Sequence, residues 1–478
     1  MKYHIITLGC PKNNVDSEGM DGILAAQGHT PVDDLTAADV VIVNTCSFIA
    51  AARDETLDVL RTLGKQKSYG QRLIAAGCMA ESHGDLVQAV SGVDAILSTR
   101  QWMRIGEVVA EGSLQQGKAE NMLAPMKHVP VLDLQPVAQT SATAAPEPSP
   151  SLHNAPIATP AEGYADWRTA PIRRTKSEPS AYLKISDGCN LRCAFCTIPS
   201  FKGDMRSKPV GAILGEAQEL AARGVKEIVL VAQHLTDYGR DIGLKDGLAL
   251  LLDELCALLP QDIWLRLMYA YPHGITPRLI ETMARHPQIC SYVDMPLQHA
   301  HADTLRRMRR PPDTEHTKQT IAALRTAMPD IALRSTFIVG FPGETHAEFQ
   351  NLLDFLAEVQ LDRVGAFRYS QEPGTAAASL PGQVRPRLIE RRWHELMQLQ
   401  QTISFARNQR WQNRTLKVLV EGRGESDDGR PLLVCRSFRD APEVDGQVFV
   451  WGDAAVGAWK QVRITQAMAY DLWGDLVD

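Results

Sequence analysis

Three cysteines of this chain lie in one short loop, Cys189-Asn-Leu-Arg-Cys193-Ala-Phe-Cys196. Thiolates are the usual ligands of iron–sulfur clusters, and a 4Fe–4S cluster normally takes four of them. Three thiolates in a tight loop leave the fourth iron open, and an open iron can chelate a substrate. A structural zinc site is the alternative, but it needs a fourth ligand, and the loop contains no histidine. We therefore predict that Cys189, Cys193 and Cys196 are the catalytic ligands of an open 4Fe–4S cluster.

A second group of cysteines, Cys10, Cys46 and Cys78, is dispersed along the chain. Each follows a short apolar run typical of a β-strand, and each comes directly after a Gly or Thr at which the chain can turn. Ligands bind outside the carboxyl ends of the strands of an open parallel sheet, so these three cysteines can converge. Single buried cysteines are common and have no such meaning. The position that all three share predicts a second metal site.

The remaining cysteines, Cys256, Cys290 and Cys435, have no cysteine neighbours, and we interpret them as core-packing residues. An odd count of nine cysteines and the absence of a recognisable secretory signal argue against a disulfide framework. We expect a cytoplasmic protein, where cysteines stay reduced. No apolar run reaches the roughly 18 residues that a membrane span needs, so no membrane partner is expected.

The elements that must position these cysteines follow from alternating strand and helix patterns. Tyr3–Leu8, Val40–Asn44 and Arg72–Ala76 are apolar, β-branched-rich runs, each followed by a helical stretch. This alternation predicts an N-terminal domain over residues 1–113 with a doubly wound parallel sheet. Residues 114–178 include a long run rich in Pro, Ala, Ser and Thr, which predicts a flexible linker.

Strand and helix patterns resume over residues 179–410, where six strand–helix units follow one another. Six such units predict a partial (β/α)6 barrel whose active site lies at the C-terminal ends of the strands. Residues 411–478 contain short strands between Gly- and Asp-rich turns, which predict a small antiparallel barrel of five strands. The fold class is therefore α/β, with an all-β terminal domain. The predicted barrel strands are Tyr182–Ser186, Glu227–Ala232, Trp264–Tyr269, Tyr292–Pro296, Leu333–Val339 and Arg363–Tyr369.

Five residues near the ends of these strands are candidate cofactor-binding residues. Gln233 and Gln298 end the second and fourth strands, where polar side chains face the cavity. Gly340 and Glu344 belong to a glycine-rich turn after the fifth strand, where the backbone can approach a ligand ring. Arg334 begins that strand and can pair with a cofactor carboxylate. The alternative for Gln233 and Gln298 is a structural amide whose hydrogen bonds are all satisfied. For Gly340 and Glu344 it is an ordinary strand-to-helix turn, and for Arg334 it is a salt bridge in the barrel wall.

The spacing of the Cys189 loop resembles the signature of the radical S-adenosylmethionine (SAM) superfamily, in which the open iron binds SAM. Together with the dispersed triad and the terminal barrel, it resembles the methylthiotransferase family, whose terminal barrel is a TRAM domain. The resemblance is greatest to the subgroup that modifies small-subunit ribosomal protein S-twelve (uS12). The stretches that carry it are Gly9–Asn13, Val15–Glu18, Asp294–His299, Arg436–Ser437, Asp440–Gly446 and Tyr470–Gly474.

The resemblance implies an enzyme with two 4Fe–4S clusters that uses two molecules of SAM. One SAM would methylate a sulfur associated with the N-terminal cluster. The second would be cleaved reductively at the barrel cluster, and the 5′-deoxyadenosyl radical would take hydrogen from the β-carbon of an aspartate of uS12. The resemblance also implies a reducing partner such as flavodoxin or ferredoxin. A tRNA methylthiotransferase acting on an anticodon-adjacent adenosine is the alternative, and a non-enzymatic cluster carrier is a third hypothesis.

Charge favours the ribosomal protein over tRNA. The chain has a formal net charge of −6, and residues 411–478 contain eight Lys or Arg and eleven Asp or Glu, a difference of −3. RNA binding depends on phosphate neutralisation by a basic surface, so tRNA binding is not expected. An acidic terminal barrel attracts a basic protein instead. We predict that Asp440, Glu443 and Asp445 make this contact, with solvated turn carboxylates as the alternative.

Overall fold

The computed structural model describes residues 1–111, 166–174, 178–426 and 429–477. The chain forms two compact units, Met1–Arg173 with Arg240–Lys245, and Arg174–Gly239 with Asp246–Asp478. Most of the predicted linker, residues 114–178, lies outside the described residues. Near its C-terminal end, Trp167 is 4% exposed and belongs to the hydrophobic core of the first unit, so that part of the segment is packed.

The first unit contains a five-stranded parallel sheet in the order β2-β1-β3-β4-β5. Every residue of β3 is buried, because helices cover both faces of a parallel sheet. The predicted parallel sheet is confirmed, and its two edge strands are additions. The elements are β1 (Lys2–Thr7), β2 (Thr30–Pro31), β3 (Val40–Thr45), β4 (Arg72–Gly77) and β5 (Ala95–Ser98), with α1 (Pro11–Ala26), α2 (Ala50–Gln66), α3 (Cys78–Ser82), α4 (Gly84–Gln88) and α5 (Ile105–Ala110).

The second unit begins with the predicted partial barrel, a six-stranded parallel sheet in the order β13-β12-β11-β10-β9-β6. Its strands are β6 (Ser180–Lys184), β9 (Glu227–Val231), β10 (Trp264–Leu267), β11 (Ile289–Asp294), β12 (Ala332–Val339) and β13 (Arg363–Arg368), with a small hairpin of β7 (Ser186–Asp187) and β8 (Arg206–Ser207). The helices are α6 (Ile198–Lys202), α7 (Val210–Ala222), α8 (Gly247–Leu258), α9 (Pro277–Arg285), α10 (Ala302–Arg307), α11 (Thr314–Ala327), α12 (His346–Val359) and α13 (Pro386–Gln409).

The terminal domain is a closed barrel in the order β14-β15-β16-β18-β17. Its strands are β14 (Thr415–Glu425), β15 (Pro431–Ser437), β16 (Val448–Trp451), β17 (Trp459–Ala467) and β18 (Leu472–Leu476). The barrel was predicted to be antiparallel, and four of its pairings are, but β16 and β18 pair in parallel. A closed ring of five strands cannot alternate direction throughout, because five is odd, so one parallel pair is required.

The terminal barrel packs against the N-terminal ends of the central sheet strands, opposite the edge that carries the Cys189 loop. Leu419 and Ala441 of the terminal domain share one hydrophobic cluster with Trp264 and Tyr292 of the sheet. The Trp459 ring also contacts Trp264, with 4.4 Å between ring centroids. The terminal barrel therefore covers one end of the sheet and leaves the carboxyl edge to the cysteine loop. Among the described residues, no helix combines the length and the apolar composition that a membrane crossing requires.

Candidate iron–sulfur and SAM site

The N-terminal cysteines stand at one edge of the first sheet. Cys10 precedes α1, Cys46 follows β3 and Cys78 begins α3. Strand β3 is hydrogen-bonded to both β1 and β4, so the three strand ends are neighbours. Burial raises the pKa of the Cys46 thiol, and the nearby Cys10 raises it further. The three thiols thus share the carboxyl edge of the sheet, where the sequence analysis placed them.

Hydrogen bonds between α1 and the strands hold these strand ends together. Asn13 Nδ2 donates to the carbonyl oxygens of Leu8 at 2.8 Å and Thr45 at 3.1 Å. In return, Asn44 Nδ2 donates to the Asn13 carbonyl at 2.9 Å. Thr45 Oγ1 donates to the Ala76 carbonyl at 2.6 Å, which joins β3 to β4. These bonds fix the backbone on either side of Cys10 and just before Cys46 and Cys78.

The packing beside Cys46 leaves no room for a side chain at residue 9. Gly9 has φ +95°, and a Cβ there would lie 2.6 Å from Cys46 Cβ and 2.7 Å from its Sγ. Cys78 Sγ lies 3.9 Å from Asn13 Oδ1, against the side chain that ties the strand ends together. Because bound metal displaces thiol protons, a raised thiol pKa makes metal binding proton-linked. Three thiols on a fixed strand edge fit the ligand set of an iron–sulfur cluster.

The Cys189 loop follows β7 and is anchored at two points. Cys189 N donates to the Gly203 carbonyl at 3.0 Å, and Ala194 N donates to the Met308 carbonyl at 2.9 Å. Burial raises the pKa of the Cys189 thiol, and the charge of Cys193 adds to the increase. Two anchors within one loop hold its cysteines in a defined arrangement, which again fits a cluster.

Arg310 lies beside this loop, and the sequence analysis did not single it out. Its Nη1 lies 3.8 Å from Cys193 Sγ, and its Nη2 donates to the Pro296 carbonyl at 2.6 Å. Its guanidinium stacks on the Tyr271 ring, 4.4 Å from the centroid. Hydrogen bonds to ligand sulfurs tune the potential of an iron–sulfur cluster, so Arg310 is placed to do this. Cys193 is 117 residues away from Arg310 along the chain, so no local sequence pattern indicates this contact.

A buried group of charges lies behind the loop. Asp187 pairs with Lys184 at 3.6 Å and Lys202 at 3.3 Å, and all three side chains are at most 5% exposed. Burial opposes ionisation of Asp187, but the two ammonium groups outweigh it and hold its pKa well below the usual range. Two cations beside one carboxylate suit a site that receives an anionic group. A lysine inside an apolar strand just before the cysteine loop, Lys184, could have indicated this buried charge group, but the sequence analysis did not use it.

The predicted glutamines occupy different environments. Gln233 Nε2 donates to Asp187 Oδ1 at 2.7 Å, and its Oε1 accepts no hydrogen bond from the described residues. Gln298 has φ +73°, and its backbone N–H donates to the Thr336 carbonyl at 2.8 Å. A positive φ on a residue with a side chain is uncommon and marks strain that functional sites often contain. Both side chains stay candidates for cofactor contact.

Arg334 is committed to partners within the chain. Its Nη1 donates to Asp294 Oδ1 at 2.7 Å, and its Nε lies 3.3 Å from Asp445 Oδ1. The guanidinium is therefore engaged by Asp294 of the sheet and by Asp445 of the terminal domain, which matches the salt-bridge alternative left open above. Contact between Arg334 and SAM stays a prediction.

Glu344 stabilises the turn after β12 through hydrogen bonds to the turn's own backbone. Gly340 has φ +77°, and a Cβ there would collide with the Ile389 side chain of α13. Glu344 Oε2 accepts a hydrogen bond from Gly340 N at 2.8 Å, and its Oε1 pairs with Arg392 at 2.6 Å. Glu344 is buried and folds back on its own turn. Its geometry is that of a residue that shapes the turn by accepting a hydrogen bond from the Gly340 backbone.

The acidic loop predicted to contact a partner belongs instead to the interface with the central sheet. Asp440 accepts a hydrogen bond from Arg363 Nη2 at 2.7 Å, and Asp445 accepts one from the Tyr292 hydroxyl at 2.7 Å. Burial opposes ionisation of Asp440, but Arg363 keeps its pKa below the usual value. Only Glu443 is exposed. The prediction was wrong for Asp440 and Asp445, because these carboxylates neutralise arginines of the sheet.

Glu227 is the centre of the same interface. It bonds to Arg266 of the sheet and to Arg436 of the terminal barrel, and the three side chains are at most 2% exposed. Burial opposes ionisation, but the two guanidiniums outweigh it and lower the pKa of Glu227 to about 2. The buried pair of Glu227 and Arg436 therefore links the central sheet to the terminal barrel.

We expect Arg436→Met to lower the free energy of unfolding by about 3–5 kcal/mol, because it leaves a buried carboxylate short of a partner. The matched control is Arg414→Gln, which removes an arginine that joins the same two domains through Asp330. That pair is 44% and 45% exposed, so the expected loss is about 1 kcal/mol or less. Denaturant unfolding of the metal-free chain measures both, and equal losses would contradict the account.

The same interface predicts a pH dependence. Since the pKa of Glu227 falls from 4.5 to about 2 on folding, its stabilising effect is complete above pH 4.5 and is lost as the pH falls toward 2. The stability of the Glu227→Gln variant should lack this part of the acid dependence.

The three lone cysteines have the environment of packing residues. Cys256, Cys290 and Cys435 are each at most 3% exposed. Burial raises the pKa of each thiol to about 12, which keeps it protonated and poorly nucleophilic. This fits the interpretation of these cysteines from the sequence.

Comparison with known proteins identifies three regions of the chain. The family models that match are the uncharacterized protein family UPF0004 at residues 2–98, the radical SAM superfamily at 183–356 and the TRAM domain at 414–477. A radical SAM methyltransferase, TsrM, from Kitasatospora setae has a similar fold, with a TM-score of 0.53 at 14% identity over 79% of this chain and 73% of its own. That similarity concerns the fold alone.

Curated relatives are similar over the whole length. Proteins named ribosomal protein uS12 methylthiotransferase RimO share 69% identity in Roseiflexus sp., over 100% of this chain and 98% of the relative, and 66% in Chloroflexus aurantiacus, over 99% of each. The relative from Moorella thermoacetica is 43% identical over 100% of this chain and 99% of its own. With two thiol triads at sheet edges and this similarity, the chain belongs to the RimO family of radical SAM methylthiotransferases.

Proposed function

We propose that this enzyme transfers a methylthio group to the β-carbon of an aspartate of ribosomal protein uS12, with SAM as the source of methyl group and radical. The observation that carries the proposal is the presence of two thiol triads, each at the carboxyl edge of a separate parallel sheet. One triad is sufficient to cleave SAM, so the second supports an added sulfur chemistry. The names of the full-length relatives support uS12 as the substrate.

Each domain contributes residues to a separate task. When bound, the two 4Fe–4S clusters supply one-electron chemistry and a sulfur site, which acid–base side chains cannot provide. Cys10, Cys46 and Cys78 hold the first cluster. Cys189, Cys193 and Cys196 would hold the second, with three thiolates for a cluster that normally takes four ligands. In the remainder of the site, the chain's own groups bind and orient the cofactor.

The SAM-contacting residues are part of the proposal. The free Oε1 of Gln233 can accept a hydrogen bond from SAM, and the net positive charge of Lys184 and Lys202 beside Asp187 favours its carboxylate. Gln298 offers a second amide at the end of β11, and the Gly340 backbone allows close approach of the adenine. Arg334 and Glu344 then act as positioning residues that fix the barrel wall and the turn.

The charge of the terminal barrel supports a protein substrate. The buried Arg436, Arg439, Asp440 and Asp445 contribute two charges of each sign. The difference of −3 over residues 411–478 is therefore carried by the other charges of this domain. A domain whose sequence carries a net negative formal charge suits a basic ribosomal protein better than the phosphates of tRNA. We place this reaction in the cytoplasm, with a reducing protein such as flavodoxin or ferredoxin as electron donor.

The test is a competition reaction. Reconstituted enzyme receives SAM, a reductant, purified unmodified uS12 and unmodified tRNA together. Mass spectrometry should find one methylthio group on a uS12 aspartate and none on the tRNA. Methylthiolated adenosine with unchanged uS12 would replace this proposal by the tRNA alternative. If neither substrate changed while SAM was cleaved, the assignment of uS12 as the substrate would fail.

A further inference from the structure

Helix α1, which begins directly after Cys10, has two glycines in its interior. Glycine weakens a helix interior relative to alanine, so its presence at two positions needs a local reason. A Cβ at Gly22 would lie 2.0 Å from the Pro171 carbonyl oxygen. A Cβ at Gly19 would lie 2.4 Å from the Trp102 ring and 3.5 Å from Ile172. Both positions are therefore occupied by glycine because other parts of the chain pass directly against the helix.

The segment that crosses these glycines comes from the end of the predicted linker. Residues 166–173, which we call the strap, belong to the first unit. Trp167 of the strap is buried in the same core cluster as Trp102. Beyond it, Arg173 N donates to the Glu18 carbonyl of α1 at 3.1 Å. The strap is thus attached to the first unit by a buried ring, a close backbone contact and a hydrogen bond.

The strap lies across the helix from the sheet. Asn13, Ser17 and Asp21 are four residues apart, so they share one face of α1. All three bond to strands β1 and β3, and their partners are the Thr45 carbonyl at 3.1 Å, Thr7 Oγ1 at 2.7 Å and the Tyr3 hydroxyl. At about 3.6 residues per turn, Gly19 and Gly22 lie on nearly the opposite face. Helix α1 is therefore held between the sheet and the strap.

The position of α1 determines the surroundings of the N-terminal thiols. Cys10 is the N-cap residue of this helix, and its carbonyl accepts a hydrogen bond from Asn13 N at 2.8 Å. The Asn13 side chain bonds to the backbone before Cys46 and lies 3.9 Å from Cys78 Sγ. A shift of α1 would therefore change the surroundings of all three thiols at once.

We propose that the strap holds α1 against the sheet, so that Gly22 and Trp167 act as positioning residues for the N-terminal cluster. They act through Asn13 and the Cys10 N-cap and do not themselves touch the thiols. The inference rests on the proposed function, which assigns the sulfur chemistry to this cluster. It also gives the end of the predicted linker a role in the first unit, beyond that of a flexible connection.

The test compares two glycine-to-alanine substitutions in helices of the reconstituted full-length enzyme. Gly22→Ala adds a methyl group that collides with the Pro171 carbonyl, so the strap must move away. Gly215→Ala is the matched control, because Gly215 is a glycine of α7 with no atom within 4 Å of a Cβ placed there. Alanine favours both helices, so a loss confined to Gly22→Ala reports on the strap. Trp167→Ala removes the buried ring, and Trp167→Phe keeps an aromatic ring as the conservative variant.

Three quantities are measured. Hydrogen exchange of the backbone amides of residues 166–173 reports on the strap. Release of iron to a chelator reports on the N-terminal cluster, and is measured with Cys189, Cys193 and Cys196 replaced by alanine in every variant. The ratio of methylthio product to 5′-deoxyadenosine is measured with the barrel cysteines intact.

We expect amide exchange in the strap to be at least about tenfold faster in Gly22→Ala, because its docking is lost by local opening. Iron release should be roughly three- to tenfold faster, below the loss typical of groups that bond a metal ligand directly. The product ratio should fall while 5′-deoxyadenosine stays at the parent level. Trp167→Ala should show the same changes, and Trp167→Phe and Gly215→Ala should match the parent.

Faster exchange in the strap with unchanged iron release would overturn the proposal, as would equal iron release in Gly22→Ala and Gly215→Ala. Should Gly22→Ala fail to fold, the two Trp167 variants decide the question, and equal iron release in both would overturn it. Failure of the proposed function would appear separately, as a parent enzyme that keeps its iron and a protected strap but forms no methylthio product.

Discussion

Replacing Cys189, Cys193 and Cys196 together by alanine should abolish reductive cleavage of SAM and remove about half of the bound iron. The parent enzyme should hold about eight irons in two clusters of four, so the variant should retain about four. The loss of activity should be complete, because the other described cysteines of the barrel, Cys256 and Cys290, are buried in separate elements, away from this loop in the sequence. The fold should survive, since Cys193 and Cys196 are partly exposed and the loop keeps its backbone anchors.

Iron content and 5′-deoxyadenosine, measured after anaerobic reconstitution, check this result. Cys256→Ala is the control, because Cys256 is equally a cysteine of this domain but is buried in α8 without a second thiol nearby. It should keep all of the iron. An iron content that did not fall in the triple variant would contradict the assignment of these ligands.

Replacing Cys10, Cys46 and Cys78 together should abolish methylthiolation without abolishing the cleavage of SAM. Methylthio product should disappear, while cleavage of SAM to 5′-deoxyadenosine continues, because the ligands of the barrel cluster lie in a different domain. About four irons should again remain, now those of the Cys189 loop. Mass spectrometry of uS12 and quantification of 5′-deoxyadenosine in the same reaction measure the two activities. A variant that still methylthiolated uS12 would remove the N-terminal triad from the sulfur chemistry.

Much of this architecture could be predicted from local patterns. Long apolar runs such as Val40–Asn44 identify buried parallel strands, and a cysteine at the end of each run marks the sheet edge. The short strands β2, β5 and β18 were not predicted individually. β2 has only two residues, and the Leu472–Leu476 strand was recognised only as a motif. A period-two pattern of apolar residues cannot be recognised over so few residues.

The electrostatic contacts could not be predicted, because they join residues far apart along the chain. Arg436 pairs with Glu227, and Arg310 reaches Cys193. Asp440 looked like a surface carboxylate in a turn, yet it neutralises Arg363 in the domain interface. The sequence gives the net charge of a domain, but it does not show which of the charged side chains are buried in contacts with one another. Only the packed fold determines which charges face a partner.

The most direct measurement is the competition reaction performed on uS12 whose aspartates carry deuterium at the β-carbon. The account predicts deuterium in the 5′-deoxyadenosine and a methylthio group at the β-carbon of one aspartate, in equal amounts, with the tRNA unmodified. Deuterium retained entirely in uS12, with the methylthio group found on adenosine of the tRNA, would contradict it.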